Sequence, residues 1–290
     1  MLREMMMKNI MPLYQVDAFT RVPFKGNPAA VCLLPHALDD ALMQVIAAEM
    51  NLSETAFVMP LGDTPWNEAA RFSLRWFTPK VEVRLCGHAT LGTAAVLFGV
   101  VGVQATSVTF ETLSGDLIAR RVAGGAVGCE TITLDFPADT PVPCAPPAGA
   151  LQALGVASAE AAVYGTRAHD LLIQLDDAQQ VRALRPDFPA LLACEELDAY
   201  RGVMVTAAGE APYDFISRFF APKVGINEDP VTGSAHTLLT PYWTAQLGKT
   251  EMLAYQASAR AGEIGVRLAE NGRVELTGDA VVVFKGELCI

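Results

Sequence analysis

This 290-residue chain is poor in charge, and poorest in basic charge: Asp, Glu, Lys and Arg make up 18% of it, with 21 basic residues against 32 acidic ones. Nucleic-acid affinity comes from Lys and Arg neutralising phosphates. A net charge of -11 with no basic run or aromatic-basic stripe therefore argues against a polyanionic partner. No apolar stretch reaches the length of a membrane-spanning helix. The Met-rich start, "MLREMMMKNIMPLYQ", has neither an uninterrupted apolar core nor a small-residue cleavage site, so the expectation is a cytoplasmic protein with a loose N-terminal extension.

Other absences narrow the chemistry. The six cysteines are scattered, with no C-x-x-C, which points to free thiols in a reducing compartment. The four histidines lie far apart, with no H-E-x-x-H or Cys/His cluster, so no metal site is expected. No G-x-S-x-G occurs, and Ser234 and His236, two apart at a helix start, would not face each other, which speaks against a serine hydrolase. A nucleotide enzyme would need a G-x-G-x-x-G turn after a strand or a Walker loop, and neither is present.

Apolar residues, at 51%, are plentiful enough for substantial cores, and the length suits one large domain or two of about 140 residues. Alternation and β-branched runs predict strands over Tyr14–Phe19, Ala29–Leu34, Glu54–Met59, Ala70–Trp76, Ser107–Thr112, Leu117–Val122 and Thr131–Phe136. Two helices interrupt them. "DDALMQVIAAEMN" opens on Asp39 and Asp40 and should bury Leu42, Ile46 and Met50; "ATLGTAAVLF", starting near His88, is small and apolar almost all round and should be a buried helix. The five prolines between Phe136 and Ala150 read as a linker. Strands then resume at Ala162–Tyr164, Leu171–Leu175, Gly202–Thr206 and Phe215–Phe219, with helices near Gly149–Leu154 and Phe188–Glu195.

The order of the first half repeats in the second. "RWFTPKV" at Arg75–Val81 returns 143 residues later as "RFFAPKV" at Arg218–Val224, with five of seven positions identical. Each copy runs on through a loop into a glycine, a polar residue and a helix. Arg75 to Gly87 is 12 positions and Arg218 to Gly233 is 15, a three-residue insertion. "SGDLIARRV" is answered by "AGEIGVRLAENGRVEL", where Asn271-Gly272 marks a hairpin turn. A match held in register this far indicates duplication into two α+β halves. The expected boundaries are 1–137, with a strand near 280–290 added, and 138–280. Such halves commonly pack about a pseudo-twofold axis, which would set Gly87-His88 opposite Gly233-Ser234 across a cleft.

Each of these loops ends at a helix N-terminus, where orphan N–H groups and the positive end of the dipole suit a small carboxylate, with the Ser234 hydroxyl as a further donor. Equally, Gly87 and Gly233 could serve only to permit sharp turns. The loops also carry Cys86, His88 and Asp229, and "NLSETAF" places Glu54 at the head of an apolar strand, where burial would raise its pKa toward the range of a proton carrier. Each has a plainer reading: a solvated strand end for Glu54, a structural imidazole for His88, a cap or turn for Asp229, and packing for Cys86. Arg84, beside the first loop, could serve an anionic substrate or lie in solvent.

Taken in order, "VDAFT", "GNPAAVCLL", "NLSETAFV", "RWFTPKVEVRLCGHATLG", "EDPVTGSAH" and "PYW" resemble the phenazine biosynthesis-like (PhzF-like) proteins over essentially the whole chain. The resemblance implies a diaminopimelate epimerase-like α+β fold: two pseudo-symmetric βα-domains, each a barrel-like sheet around a central helix, with the active-site cleft between them. It also implies a homodimer and a cofactor-independent isomerase acting on a small carboxylate-bearing metabolite. Carried over, Glu54 is the general acid/base, His88 and Asp229 position and polarise the substrate, and Gly87, Gly233 and Ser234 hold its carboxylate. Two rivals stand beside this. An amino-acid racemase of the same fold would use two thiols, but Cys86 is matched by Thr232, whose hydroxyl is far too weak an acid. A non-catalytic carboxylate-binding protein would keep the cleft without turnover. "LCGHAT" departs from the phenazine enzyme itself, so its substrate does not carry over.

Overall fold

The computed structural model describes residues 10–124 and 128–290. The chain divides into two compact units: one runs to Asp135 and takes back Thr277–Ile290, and the other is Phe136–Leu276.

The strands of the first unit are β1 (Ile10–Ala18), β2 (Asn27–Leu33), β3 (Glu54–Pro60), β4 (Arg71–Phe77), the short β5 (Glu82–Val83), β6 (Ser107–Thr112), β7 (Gly115–Arg121) and β8 (Cys129–Pro137). With β17 (Arg273–Cys289), which starts in the second unit, eight of them close in the order β1-β2-β3-β4-β6-β7-β8-β17 and back to β1. A barrel closed in this way has no edge in need of covering.

Helix α1 (Asp40–Met50) lies on the barrel's outer side. Asp39 caps it by accepting the Leu42 N–H at 2.8 Å, and Asn51, at φ 49°, ends it in the left-handed conformation. Its buried face is Met43, Ile46 and Ala47; the expected Leu42 and Met50 are half-buried at the margins of that stripe. Spacing alone permits either stripe, and the barrel residues Ala30, Cys32, Phe57 and Phe77 select the one that contains Met43.

Helix α2 (Gly87–Val96) is the enclosed element, with all ten residues buried against β1, β2, β3 and β7. Its small side chains are what let strands approach from every direction. At Gly92 a Cβ would come within 3.3 Å of the Val16 Cβ. A wider turn, Leu97–Val101, extends the helix to Gly102, whose φ of 77° stops it.

The second unit repeats the scheme with β9 (Pro141–Pro143), β10 (Ala161–Gly165), β11 (Asp170–Gln174), β12 (Gly202–Ala208), β13 (Phe215–Ala221), β14 (Ile226–Asp229), β15 (Glu251–Gln256) and β16 (Gly262–Ala269). From β10 through β11, β12, β13 and β15 to β16 the pairings run antiparallel, parallel, antiparallel, parallel, antiparallel. The run from β1 through β2, β3, β4 and β6 to β7 has the same five senses. Helices α3 (Ala148–Leu154), α4 (Ala178–Ala183) and α5 (Phe188–Ala193) cover one face over Leu171, Ile173, Val203, Val205, Ile216 and Phe220. Helix α6 (Gly233–Leu247), the counterpart of α2, buries Leu238, Leu239, Tyr242 and Trp243. Among the described residues no helix is long and apolar enough to cross a membrane.

The proline-rich segment is more than a linker. Its Pro141–Pro143 stretch forms edge strand β9 on β10, where alternate prolines turn their missing donors away from the ladder. Asp139 is buried, and its carboxylate accepts the backbone N–H groups of Thr140, Arg167 and Ala168 at 2.7–2.9 Å. Its own N–H goes to the Thr237 carbonyl at 3.0 Å, the acceptor that Pro241, lacking an N–H, leaves unused inside α6. Asp139→Ala removes the common acceptor of three N–H groups. It should lower stability by about 2–4 kcal/mol in urea unfolding, whereas Pro241→Ala should move the midpoint little.

Candidate functional site

The duplicated motif has a physical basis that also fixes the correspondence between the two loops. Arg75 makes a bidentate pair with Glu82 at 2.7 and 2.8 Å, and its guanidinium lies 5.2 Å from the Phe77 ring centroid. Arg218 does the same with Glu228, at 2.7 and 3.0 Å, and lies 5.0 Å from Phe220. Arginine's planar fork can serve a carboxylate and a ring face at once, which lysine cannot. The glutamate follows its arginine by seven positions in one copy and ten in the other, while both glutamates precede the loop glycine by five. Because Pro222–Val224 match Pro79–Val81, the insertion is Gly225, Ile226 and Asn227, and it opens on Gly225 at φ 88°. Downstream the copies align without gaps: Val83 with Asp229, Cys86 with Thr232, Gly87 with Gly233, and His88 with Ser234.

In the first unit this alignment gathers three chemical groups. Glu54 heads β3, while Cys86 and His88 flank the first residue of α2. Glu54 Oε2 lies 3.1 Å from His88 Nε2, and Cys86 Sγ lies 3.5 Å from His88 Nδ1, so the imidazole stands between thiol and carboxylate. All three residues are between 5% and 9% exposed, which keeps their interactions out of reach of solvent screening. Apart from this contact with His88, no protein group among the described residues meets Glu54 Oε2. Burial first, and the neighbouring Glu54 charge second, push the Cys86 thiol up to about 11, so it is protonated at neutral pH. Desolvation opposes charge on the His88 ring, but Cys86 and then Glu54 beside it, through charge and hydrogen bonding, more than offset this and hold its pKa well above the ordinary value.

The matching positions of the second unit carry hydrogen-bonding groups in place of proton carriers. The ladder that pairs Phe57 with Arg75 pairs Val205 with Arg218, so the position equivalent to Glu54 is Gly202. A Cβ there would stand 2.4 Å from the Phe219 ring, over which the Arg201 guanidinium lies at 5.2 Å. Arg201 is held by the fully buried Asp170, with one contact of 2.9 Å, and donates from both terminal nitrogens to Ser234 Oγ at 3.1 Å. With its oxygen occupied by two donors, the Ser234 hydroxyl has its proton left to give. That is the orientation a carboxylate needs.

Thr232, at the place of the second thiol in a racemase, is likewise committed. Its hydroxyl donates to Asp229 Oδ2 at 2.6 Å and accepts from Gln256 Nε2 at 3.1 Å. Buried Gln256 also donates to the Asp229 carbonyl and accepts the Thr232 N–H, both at 2.8 Å, and so fixes the turn before α6. Neither Cys86 nor Thr232 caps its helix with its side chain. Arg84 lies exposed, as the second of its two readings had it, and donates to the Leu113 carbonyl at 2.8 Å. Arg201, Asp170 and Gln256 escaped sequence reasoning; only the alignment of β12 with β3 could have drawn attention to the first.

His236, one turn into α6, is fully buried, donates from Nδ1 to the Thr232 carbonyl at 2.8 Å, and leaves Nε2 without a partner. Burial pulls its pKa down to about 4. The unfolded chain therefore takes up this proton before the folded one does. The His236 contribution is complete above about pH 6.5 and is lost as pH falls toward 4, a change of ~3 kcal/mol at most. His236→Asn keeps the donor and removes the titration, so its stability should fall less steeply than that of the wild type between pH 6.5 and 4 in urea unfolding.

Comparison with known proteins agrees with this anatomy. The chain is 47% identical over 278 residues to an uncharacterized isomerase of Pseudomonas aeruginosa, covering 95% of this chain and 98% of the other. A crystal structure of a phenazine biosynthesis PhzF-family protein from Enterococcus faecalis superposes with a TM-score of 0.87 at 42% identity, over 97% of this chain and all of that one. A predicted epimerase of Pseudomonas aeruginosa gives 0.74 at 25% identity, over 96% and 99%. The fold is thus the epimerase-like α+β architecture. Residues 16–286 match the phenazine biosynthesis-like protein family, and the chain belongs to it.

Proposed function

We propose that this protein is an isomerase that moves a proton within a small carboxylate-bearing metabolite without a cofactor, with Glu54 as general acid/base. The isomerase class is supported by family membership and by the names of relatives. The observation that carries the mechanism is the buried Glu54 carboxylate 3.1 Å from His88 Nε2, with no other protein group among the described residues meeting Oε2. A carboxylate so placed can take a substrate proton and return it, while the adjacent imidazole balances the charge it loses and regains. His88 and Asp229 position and polarise the substrate. Gly87, Gly233 and Ser234 hold its carboxylate, a role that suits a hydroxyl already pinned by Arg201 and N–H groups at helix starts. A cytoplasmic homodimer belongs to the same proposal.

A racemase reading keeps one observation in its favour, the Cys86 thiol 3.5 Å from His88 Nδ1. Against it, the Thr232 hydroxyl is spent on Asp229 and Gln256. Screening small cyclic and amino carboxylic acids by thermal shift, then following carbon-bound deuterium by NMR in heavy water, separates the readings. Glu54→Gln should reduce exchange at least ~100-fold, the scale of a lost acid/base group, while melting as a folded protein. Loss in Cys86→Ser with retention in Glu54→Gln would instead establish the thiol. A carboxylate that stabilises the protein but acquires no deuterium would mean binding without turnover.

A further inference from the structure

We infer that Glu54, Cys86 and His88 together form a binding site for a thiophilic divalent cation of the zinc class. The scattered cysteines and histidines gave no reason to expect such a site, but folding brings the three donors together across 34 positions of sequence. One sulfur, one imidazole nitrogen and one carboxylate oxygen all lie within 4.8 Å of one another. In a tetrahedral zinc complex, sulfur and oxygen on bonds of about 2.3 and 2.1 Å stand about 3.6 Å apart. The cluster therefore needs to close by up to about 1.2 Å, a side-chain adjustment, and a larger ion such as Cd2+ needs less.

Chemistry and charge both suit the ion. The donor set mixes the soft and borderline ligands that Zn2+, Co2+ and Cd2+ prefer over Mg2+ or Ca2+. On binding, the Cys86 S–H bond and the N–H bond of the ligating His88 nitrogen break, both protons go to solvent, and the freed sulfur and nitrogen electron pairs form the metal bonds, with no change in oxidation state. Thiolate and carboxylate then neutralise the dication, which takes the place of the positive charge that His88 gives up, so the buried cluster stays electrically balanced. Three protein ligands leave a fourth position open. Because the ion would take the lone pairs of Glu54, its binding would also shut off the proposed proton transfer. That consequence rests on the functional reading above, whereas the site itself does not.

Titrating the metal-free protein with Co2+ gives a readout independent of activity. One equivalent should produce a sulfur-to-cobalt charge-transfer band together with the visible bands of a four-coordinate ion, and Zn2+ should displace it. Cys86→Ser should abolish the charge-transfer band, His88→Gln should weaken binding at least tenfold, and Cys194→Ser, which alters a thiol elsewhere, should change neither. Each variant is checked for a cooperative thermal transition. Absence of a charge-transfer band in the wild type, or its persistence in a folded Cys86→Ser protein, overturns the site. Metal binding without loss of deuterium exchange would leave the site standing and count against Glu54 as the proton carrier.

Discussion

A helix enclosed by strands cannot rely on water to satisfy its first N–H groups, so the chain that delivers it must be held rigidly at the entrance. In each unit that task falls to one arginine, clamped between the two oxygens of a glutamate and the face of a phenylalanine. The arginine belongs to the strand and the glutamate to the segment five residues before the helix, so the pair fixes how the loop turns. Solvent reaches the Arg218 pair little, with side chains 9% and 19% exposed. Removing one partner of such a pair leaves a buried charge and costs more than the pair contributes. This accounts for the arginine and phenylalanine of "R-x-F-x-P-K-V" standing in both copies while the loops beyond diverged.

The divergence follows a pattern. In the first unit the three positions around the helix start hold groups that exchange protons: carboxylate, imidazole and thiol. In the second, the equivalent positions are glycine, serine and threonine, and the hydrogen-bonding capacity around them is used internally by Arg201, Asp229 and Gln256. One copy of the scaffold kept groups whose charge can change, and the other kept donors of fixed orientation. Such a division suits a catalyst that carries its proton on a single group.

Much of the fold was legible because it rests on local periodicity. Ser107–Thr112 coincides with β6, and the remaining expected strands differ at their ends by a few residues, where pairing partners decide. The buried helix was readable because "ATLGTAAVLF" has no polar face. What could not be read rests on single long-range hydrogen bonds. Nothing local shows that Asp139 serves a loop 28 residues away, or that Pro241 frees an acceptor for the proline-rich segment. Gln256 and Arg201 were equally silent, because their partners come together only when strands of the second sheet align. For the site, motifs brought Glu54 and His88 to notice separately, but only the register of β3 against the enclosed helix sets them 3.1 Å apart.

The duplication also supplies an internal control on Glu54. A carboxylate at the head of a buried strand costs desolvation energy that the fold gains nothing from, unless something else requires it. At the equivalent position of the second sheet the chain has Gly202, closed over by the Phe219 ring, and there the strand pairs with its neighbours in the same senses as β3 and is buried as β3 is. The architecture therefore does not demand an acid at this point. Where the fold can do without a costly group and the chain still carries one, the proposed role of Glu54 as proton carrier supplies the reason.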